Sequence, residues 1–419
     1  MKSSVASGTV TAPPSKSYTH RAMVLGALTH SSFSLINPLM SEDTRATLDA
    51  LYALGTEFRG TAQGVSIHCE SLRGARVVID AKNSGTTIRL ITGIASLLPS
   101  TTTLTGDDSL VRRPMGPLVD ALGQLGAKIS YHSKPGRPPL SVTGPITGDR
   151  ADIPAGISSQ FVSSLLIACS QKKGDTQTRL EGELRSRPYV DITLRMLEEF
   201  GAQVEENEEG FFVIGEQQLS REAYTVPGDF SSAAFPLVAA ALTGGDVTVR
   251  NLDKNSPQGD RAILEHLKAF GAKVTRTNSA VRVQAADLRG TDIDVRHTPD
   301  LFPILAVMGA VAEGKTVLSG GENLREKESD RIATTVRFLH DMGAAIVAKD
   351  DGCEITGVHK LHGTTIETEG DHRILMAAAV AALSATSDTK IDDTDSFNVS
   401  YPGFVRDLHQ LGCRVTVRK

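Results

Sequence analysis

One spacing of apolar residues recurs six times along the chain: apolar-x-x-apolar-x-x-apolar-Gly-x-x-apolar. It reads L-D-A-L-Y-A-L-G-T-E-F at 48–58, V-D-A-L-G-Q-L-G-A-K-I at 119–129 and L-R-M-L-E-E-F-G-A-Q-V at 194–204. It returns as L-E-H-L-K-A-F-G-A-K-V at 264–274, V-R-F-L-H-D-M-G-A-A-I at 336–346 and V-R-D-L-H-Q-L-G-C-R-V at 405–415. Apolar residues at i, i+3 and i+6 line one face of a helix. A glycine just past the last of them suits the left-handed conformation that ends a helix, where a Cβ is penalised. The apolar residue that follows opens a strand. The glycines Gly55, Gly126, Gly201, Gly271, Gly343 and Gly412 are 71, 75, 70, 72 and 69 residues apart, so the register is nearly constant.

Upstream of each copy runs a second helical stretch built from Ala, Gly, Ser and aliphatic residues, such as S-Y-T-H-R-A-M-V-L-G-A-L, S-S-Q-F-V-S-S-L-L-I-A and H-R-I-L-M-A-A-A-V-A-A-L. Small residues let helices approach closely, so these stretches predict buried inner helices, with the amphipathic helices outside them. Each inner helix opens on a polar cluster: Ser17, Ser84–Thr86, Ser158–Gln160, Asp229–Ser232, Asp300 and Asp371–Arg373. A helix N-terminus with hydroxyls attracts anions. Six parallel inner helices would gather all six clusters in one region, which predicts two three-repeat domains facing each other across an active site.

The length of 419 residues fits two domains. The formal net charge of −5 argues against a dedicated nucleic-acid binder, although it leaves room for a basic cleft. The four cysteines, Cys69, Cys169, Cys353 and Cys413, are scattered and form no C-x-x-C pair, so buried free thiols are expected rather than a zinc site or disulfide frame. The first fifteen residues lack the apolar core of a signal peptide, and the longest apolar run, Ile374 to Leu383, is too short to span a bilayer. The expectation is a cytoplasmic protein.

The candidate chemistry sits at the inner-helix starts. In P-S-K-S-Y-T-H-R, Lys16, Ser17 and Arg21 stand at a loop-to-helix junction able to hold a phosphate. In N-S-G-T-T-I-R, Asn83 can brace a turn, Gly85 lets backbone approach a ligand, and Arg89 can be a structural partner of the loop. In R-R-P-M, Pro114 at a first helical position would hold Arg113 at a helix entrance. Ser158, Ser159 and Gln160, with S-R-P-Y at 186–189, offer neutral donors for a sugar-like phosphate. Asp300 follows T-P, and Lys327, Glu328 and Arg331 in E-K-E-S-D-R are read as one helical turn, which cannot turn all three to one side. G-D-H-R adds Arg373. Each motif alone is equally an ordinary helix start or a solvated charged face.

As an ordered series, P-S-K-S-x-x-x-R, N-S-G-T-x-x-R, R-P-M, S-S-Q-F, D-x-S-S, K-E-S-D-R and D-H-R resemble the enolpyruvyl transferase family along the whole chain, and its shikimate branch in particular. The resemblance implies a two-domain inside-out α/β barrel, each domain three β-α-β-α-β-β repeats around buried inner helices. It implies an N-terminal domain over 14–227, holding the shikimate 3-phosphate half-site. It also implies a C-terminal domain made of 1–13 and 228–419, with the catalytic aspartate and the phosphoenolpyruvate-binding cations. The hinges would lie near Pro13–Pro14 and Pro227–Gly228.

The implied activity is transfer of the enolpyruvyl group of phosphoenolpyruvate to the 5-hydroxyl of shikimate 3-phosphate, releasing phosphate. It is a step of the shikimate pathway to chorismate and aromatic amino acids, and runs by addition and elimination through a tetrahedral intermediate. By the same likeness, shikimate 3-phosphate would meet Lys16, Ser17, Arg21, Ser158, Ser159, Gln160, Ser186, Tyr189, Asp300, Asn323 and Lys327. Phosphoenolpyruvate would meet Lys16, Gly85, Arg113, Gln160, Arg331 and Arg373. Asp300 would accept the hydroxyl proton, and Glu328 or Lys16 would protonate C3. Such chemistry needs no metal and no organic cofactor, and its partners are the two small molecules, with no nucleic acid or membrane; a monomer is expected. One departure stands out: where related enzymes often carry a lysine before the final S/T-Y/F-P segment, F-N-V-S-Y-P places Val399. Two rivals differ in kind. The sister enzymes that use UDP-N-acetylglucosamine usually carry a loop cysteine, which T-G-D-D-S-L-V-R-R-P lacks, and a repeat scaffold binding a polyanion sits poorly with the net charge.

Overall fold

The computed structural model describes residues 1–74 and 76–418. The chain divides into two compact units, Pro14–Val226 and a discontinuous one made of Met1–Pro13 with the chain from Pro227 onward. Helices alternate along it: α1 (Lys16–Ala27), α2 (Glu42–Ala53), α3 (Gly85–Ala95), α4 (Gly116–Gln124), α5 (Ser159–Cys169), α6 (Arg187–Glu199), α7 (Phe230–Thr243), α8 (Ile263–Ala269), α9 (Phe302–Val311), α10 (Arg331–Asp341), α11 (His372–Leu383) and α12 (Phe404–Gln410).

The second repeat shows the build. Strand Val77–Asp80 runs into α3, which returns the chain to a parallel partner, Thr102–Thr105, with Val77 opposite Thr102. α4 follows, then the hairpin Lys128–Tyr131 and Leu140–Thr143, whose second strand lies antiparallel to Thr102–Thr105. A parallel pair needs a crossover, and here that crossover is a buried helix. Leu104, Leu140 and Val142 turn one face of this sheet to the helices and are fully buried.

The first and fourth repeats borrow their opening strand from a distant part of the chain. Ala223–Thr225 pairs parallel with Ser32–Ile36, and Ser7–Thr11 with Asp246–Arg250. The second pairing carries the N-terminal residues into the discontinuous unit. The sixth repeat is shorter: Thr365–Ile366 pairs with Lys390–Ile391, α12 follows, and an isolated Lys2–Arg414 bridge ends it.

The odd-numbered helices are the inner ones. In the first unit α3 packs against both α1 and α5, and in the second α7, α9 and α11 pack on one another. All ten residues of α9 except Val311 are buried, and so is every residue of α11. Small side chains are required at the crossings: a Cβ on Gly93 of α3 would run into Ser164 of α5. The even-numbered helices end on the six repeat glycines, whose φ values lie between +83° and +101°. Around each, the Gly N–H bonds back three residues and the next N–H bonds back five; at Gly201 these are Glu198 O at 2.9 Å and Ala202 N to Leu197 O at 2.8 Å. That pair of bonds satisfies carbonyls the helix end would leave orphaned. Among the described residues no helix is long and apolar enough to cross a membrane.

Candidate active site

In the first unit the polar residues gather at the starts of α1, α3 and α5. Lys16 is the first residue of α1, and its Nζ reaches Asp43 Oδ2 of α2 at 3.0 Å, with both side chains largely covered. Arg21, one turn on, is only 1 % exposed. Its Nε donates to Thr193 Oγ1 (2.7 Å), Nη1 to Ser17 O (3.0 Å), and Nη2 to Ser163 Oγ (3.2 Å) and Tyr189 O (3.0 Å). These acceptors are all neutral, and among the described residues no carboxylate pairs with Arg21. Burial draws the guanidinium down to about 10, so it stays charged at neutral pH. A buried, uncompensated cation favours an incoming anion.

At the start of α3, Ser84 caps the helix. A Cβ added to Gly85 would lie 3.1 Å from Arg113 Nη1 and 3.3 Å from Arg89 Nη1. Two guanidinium groups therefore converge on a helix N-terminus that carries no side chain at its first position, a setting that favours an anion. Arg113 donates to Asn83 Oδ1 and to Ser109 Oγ. Arg89 donates to Gln160 Oε1 at 2.6 Å and stacks 5.0 Å from the Phe161 ring centre. Gln160 Nε2 reaches Thr86 Oγ1 at 3.0 Å, and Ser158 Oγ caps the Gln160 N–H. Gly85, Arg113 and Gln160 are thus brought together, with Ser158 and the buried Ser159 beside them. Ser186, just before α6, is buried with φ +53°, a left-handed conformation unusual outside glycine, and its carbonyl accepts the Tyr189 N–H.

In the second unit the site is a charge cluster at the starts of α9, α10 and α11. Asp300 lies in a 3₁₀ turn, Pro299–Leu301, leading into α9. Its Oδ1 accepts from Arg331 Nη1 at 2.8 Å and its Oδ2 from Arg373 Nη2 at 3.2 Å. Arg331 also donates to Glu328 Oε2 at 2.8 Å and, through Nε, to Asp371 Oδ2 at 2.8 Å. Burial opposes the Asp300 charge, but Arg373, Arg331 and Lys327 overcome it and hold the carboxyl well below the usual range. Arg331 moves the opposite way and is raised: burial works against its charge, and Asp371, Glu328 and Asp300 outweigh it. Arg373 is different. It is 3 % exposed, and its Nε and Nη1 have no partner among the described residues. Asn323, in the 3₁₀ turn Glu322–Glu326, also keeps a buried Oδ1 without a partner.

Two local expectations need correction. Lys327, Glu328 and Arg331 do not share a helical turn. A 3₁₀ turn ends at Glu326, Lys327 is extended, and α10 starts only at Arg331 behind an Asp330 cap. The kink lets Glu328 fold onto Arg331. Nor does Pro114 open a helix: Arg113 ends a 3₁₀ turn, Leu110–Arg112, and α4 begins at Gly116.

Three participants were not singled out from the motifs in these roles: Asp43, Arg89 and Asp371. Asp371 stands in the quoted G-D-H-R, yet its part as cap and Arg331 partner shows only in three dimensions. Arg89 lies beside Gly85 of its own loop, as a structural partner would, and also reaches Gln160, which the motif does not indicate. Asp43 carries no local signal beyond a helix start.

Repeated β-α-β-α-β-β units around buried helices, with cations at the helix starts, define an enolpyruvyl transferase class of protein. The sequence profile of EPSP synthase (3-phosphoshikimate 1-carboxyvinyltransferase) matches residues 1–408. The 3-phosphoshikimate 1-carboxyvinyltransferase of Methanocorpusculum labreanum is 47% identical over 97% of this chain and 96% of its own length. That of Methanocella arvoryzae is 47% identical over 98% and 97%. A solved EPSP synthase from Acinetobacter baumannii superposes with a TM-score of 0.84 at 32% identity, covering 100% of this chain and 98% of its own. The chain belongs to the EPSP synthase family, whose members transfer the enolpyruvyl group of phosphoenolpyruvate to shikimate 3-phosphate.

Proposed function

We propose that this chain carries out that transfer by addition and elimination, using the residues described above. The observation that supports it best is Asp300 held between Arg331 and Arg373 while Arg373 keeps two buried donors unspent. In this arrangement the neighbouring cations make Asp300 a weaker base than an ordinary carboxylate. An anion on Arg373 and Lys327 would draw those cations from Asp300 and raise its affinity for a proton, so binding of phosphoenolpyruvate arms the base.

Asp300 then takes the proton of the 5-hydroxyl as its oxygen bonds to C2, and C3 gains a proton from Glu328 or Lys16. The tetrahedral adduct loses phosphate as the C2–O bond to it breaks and C3 gives up a proton, leaving the enol ether. Lys16, Arg113, Lys327, Arg331 and Arg373 would stabilise the crowded anions. Ser17, Arg21, Ser158, Ser159, Gln160, Ser186, Tyr189 and Asn323 would hold shikimate 3-phosphate, and Gly85 would let phosphoenolpyruvate approach backbone. None of these steps calls for a metal or an organic cofactor. The enzyme is read as a cytoplasmic monomer.

Val399 ends a 3₁₀ turn, Ser396–Val399, that packs on α11. The position expected to carry a lysine is therefore apolar here, and Arg373 is the cation that α11 supplies. Incubation with phosphoenolpyruvate and either shikimate 3-phosphate or UDP-N-acetylglucosamine, with released phosphate measured, tests the reading. Release only with the first acceptor is expected; release with neither would sink it.

A further inference from the structure

One buried carboxyl beside this cluster has no role in the chemistry above. Asp260 sits in a 3₁₀ turn, Gly259–Ala262, and is 2 % exposed. The turn is tied to the start of α7. Gln258 accepts the Phe230 N–H at 2.9 Å and donates to Gly228 O at 2.7 Å, and Ser231 donates to Asp260 Oδ2. The other oxygen, Oδ1, has no partner among the described residues. The charged groups acting on Asp260 are Asp229, which caps α7, Asp300 ahead of α9, and Arg373 on α11. On its own turn Arg261 points away, donating to Lys254 O.

An unpaired buried acceptor and a buried guanidinium with two unpaired donors thus lie within electrostatic reach of each other. Two such unmade pairings are uncommon in a folded core. A neutral carboxyl makes the first less costly than an ionised one would be, because it neither repels Asp300 nor demands a cation. Burial and then Asp300 push Asp260 up to about 7, against the pull of Arg373 and of the Ser231 hydrogen bond. Neutral and charged forms are therefore both within reach near neutral pH.

We propose that Asp260 is a positioning residue that acts through Arg373: neutral, it leaves the positive field of the guanidinium to the carboxylate or phosphate of the substrate, and charged, it offsets that field and repels that anion. The inference rests on the reading of Arg373 as an anion receiver given under the proposed function. It assigns Asp260 no contact with the reacting atoms.

The test is steady-state phosphate release over pH 6 to 9, varying phosphoenolpyruvate at saturating shikimate 3-phosphate. In the unmodified enzyme KM for phosphoenolpyruvate is expected to rise roughly five- to tenfold across this range as Asp260 ionises, with kcat changing less. The substrate's own phosphate titrates at about 6, equally for every variant, so the difference between variants isolates the protein group. In Asp260→Asn the rise should vanish while kcat stays near its starting value. Ser231→Ala removes a bond that favours the charged form, so it should shift the rise to higher pH, which keeps the idea testable if Asp260→Asn folds poorly. A rise that persists unchanged in Asp260→Asn, or stays in place in Ser231→Ala, overturns the inference and leaves the transfer reaction standing. Absence of transfer in the unmodified enzyme overturns the reading of function and this inference with it.

Discussion

Replacing Asp300 by Asn removes one charge and one proton acceptor while keeping the size of the side chain. Arg331 would still be held by Glu328 and by Asp371, each at 2.8 Å, so the cluster should stay assembled. Arg373 would lose Asp300, its only ion-pair partner among the described residues, at 3.2 Å, and would be more available to an anion. Ground-state binding of phosphoenolpyruvate should therefore be unchanged or tighter. The hydroxyl, in contrast, would have no base. General-base assistance is worth about 10²–10⁴ in rate, or about 2.7–5.4 kcal/mol at 1.36 kcal/mol per tenfold. The expected result is a kcat lowered by that factor with KM for phosphoenolpyruvate moving less than tenfold, read from initial rates of phosphate release. A kcat within threefold of the unmodified enzyme, or a large rise in KM with kcat preserved, would show that Asp300 only braces the arginines.

Arg331→Met should cost about 3–5 kcal/mol of stability, because three carboxylates lose their common cation; a urea midpoint indistinguishable from that of the original protein would contradict the buried network. Gly201→Ala has open space around the new Cβ but keeps φ near +90°, so the loss should be only about 1–2 kcal/mol of backbone strain, visible as a lowered melting temperature. The two aspartates predict opposite pH trends. Asp300 is depressed in the fold, so its contribution is present above the unfolded value of about 4 and is lost as pH falls below it. Asp260 is raised to about 7, so the unfolded chain releases that proton first and stability declines as pH climbs from about 4 towards 7. Asp260→Asn should flatten that decline in denaturation series at pH 5 and 7.5, and an unaltered slope would rule out Asp260 as its source.

The architecture was legible because its signals are local. A helix face, the glycine behind it and the next strand lie within eleven residues, and Gly55 to Gly412 each form the same two backward hydrogen bonds. The polar starts of the inner helices were visible for the same reason: Ser84, Ser158, Asp229 and Asp371 cap the helices they precede. Where the backbone leaves regular geometry, local reading failed. The stretch 327–331 has helix-like composition, but its chain is extended at Lys327, and Arg113 precedes a helix that starts at Gly116.

What the amino-acid order determined by itself is thus the repeat, the inner and outer helices, and the helix ends where charged groups collect. Which of those groups face one another was decided only by tertiary structure. Lys16 meets Asp43 across 27 residues of chain, Arg331 meets Asp371 across 40, and Arg89 meets Gln160 across 71. The physical reason is that helix and turn propensities act over a few residues. Pairing of buried charges depends on which helix starts the packed core brings within about 3 Å, and on how burial then strengthens each attraction. Arg21 and Arg373 look alike in sequence, each at the start of a helix. Only the fold shows that the first is ringed by neutral acceptors and the second shares Asp300 yet keeps two donors unspent.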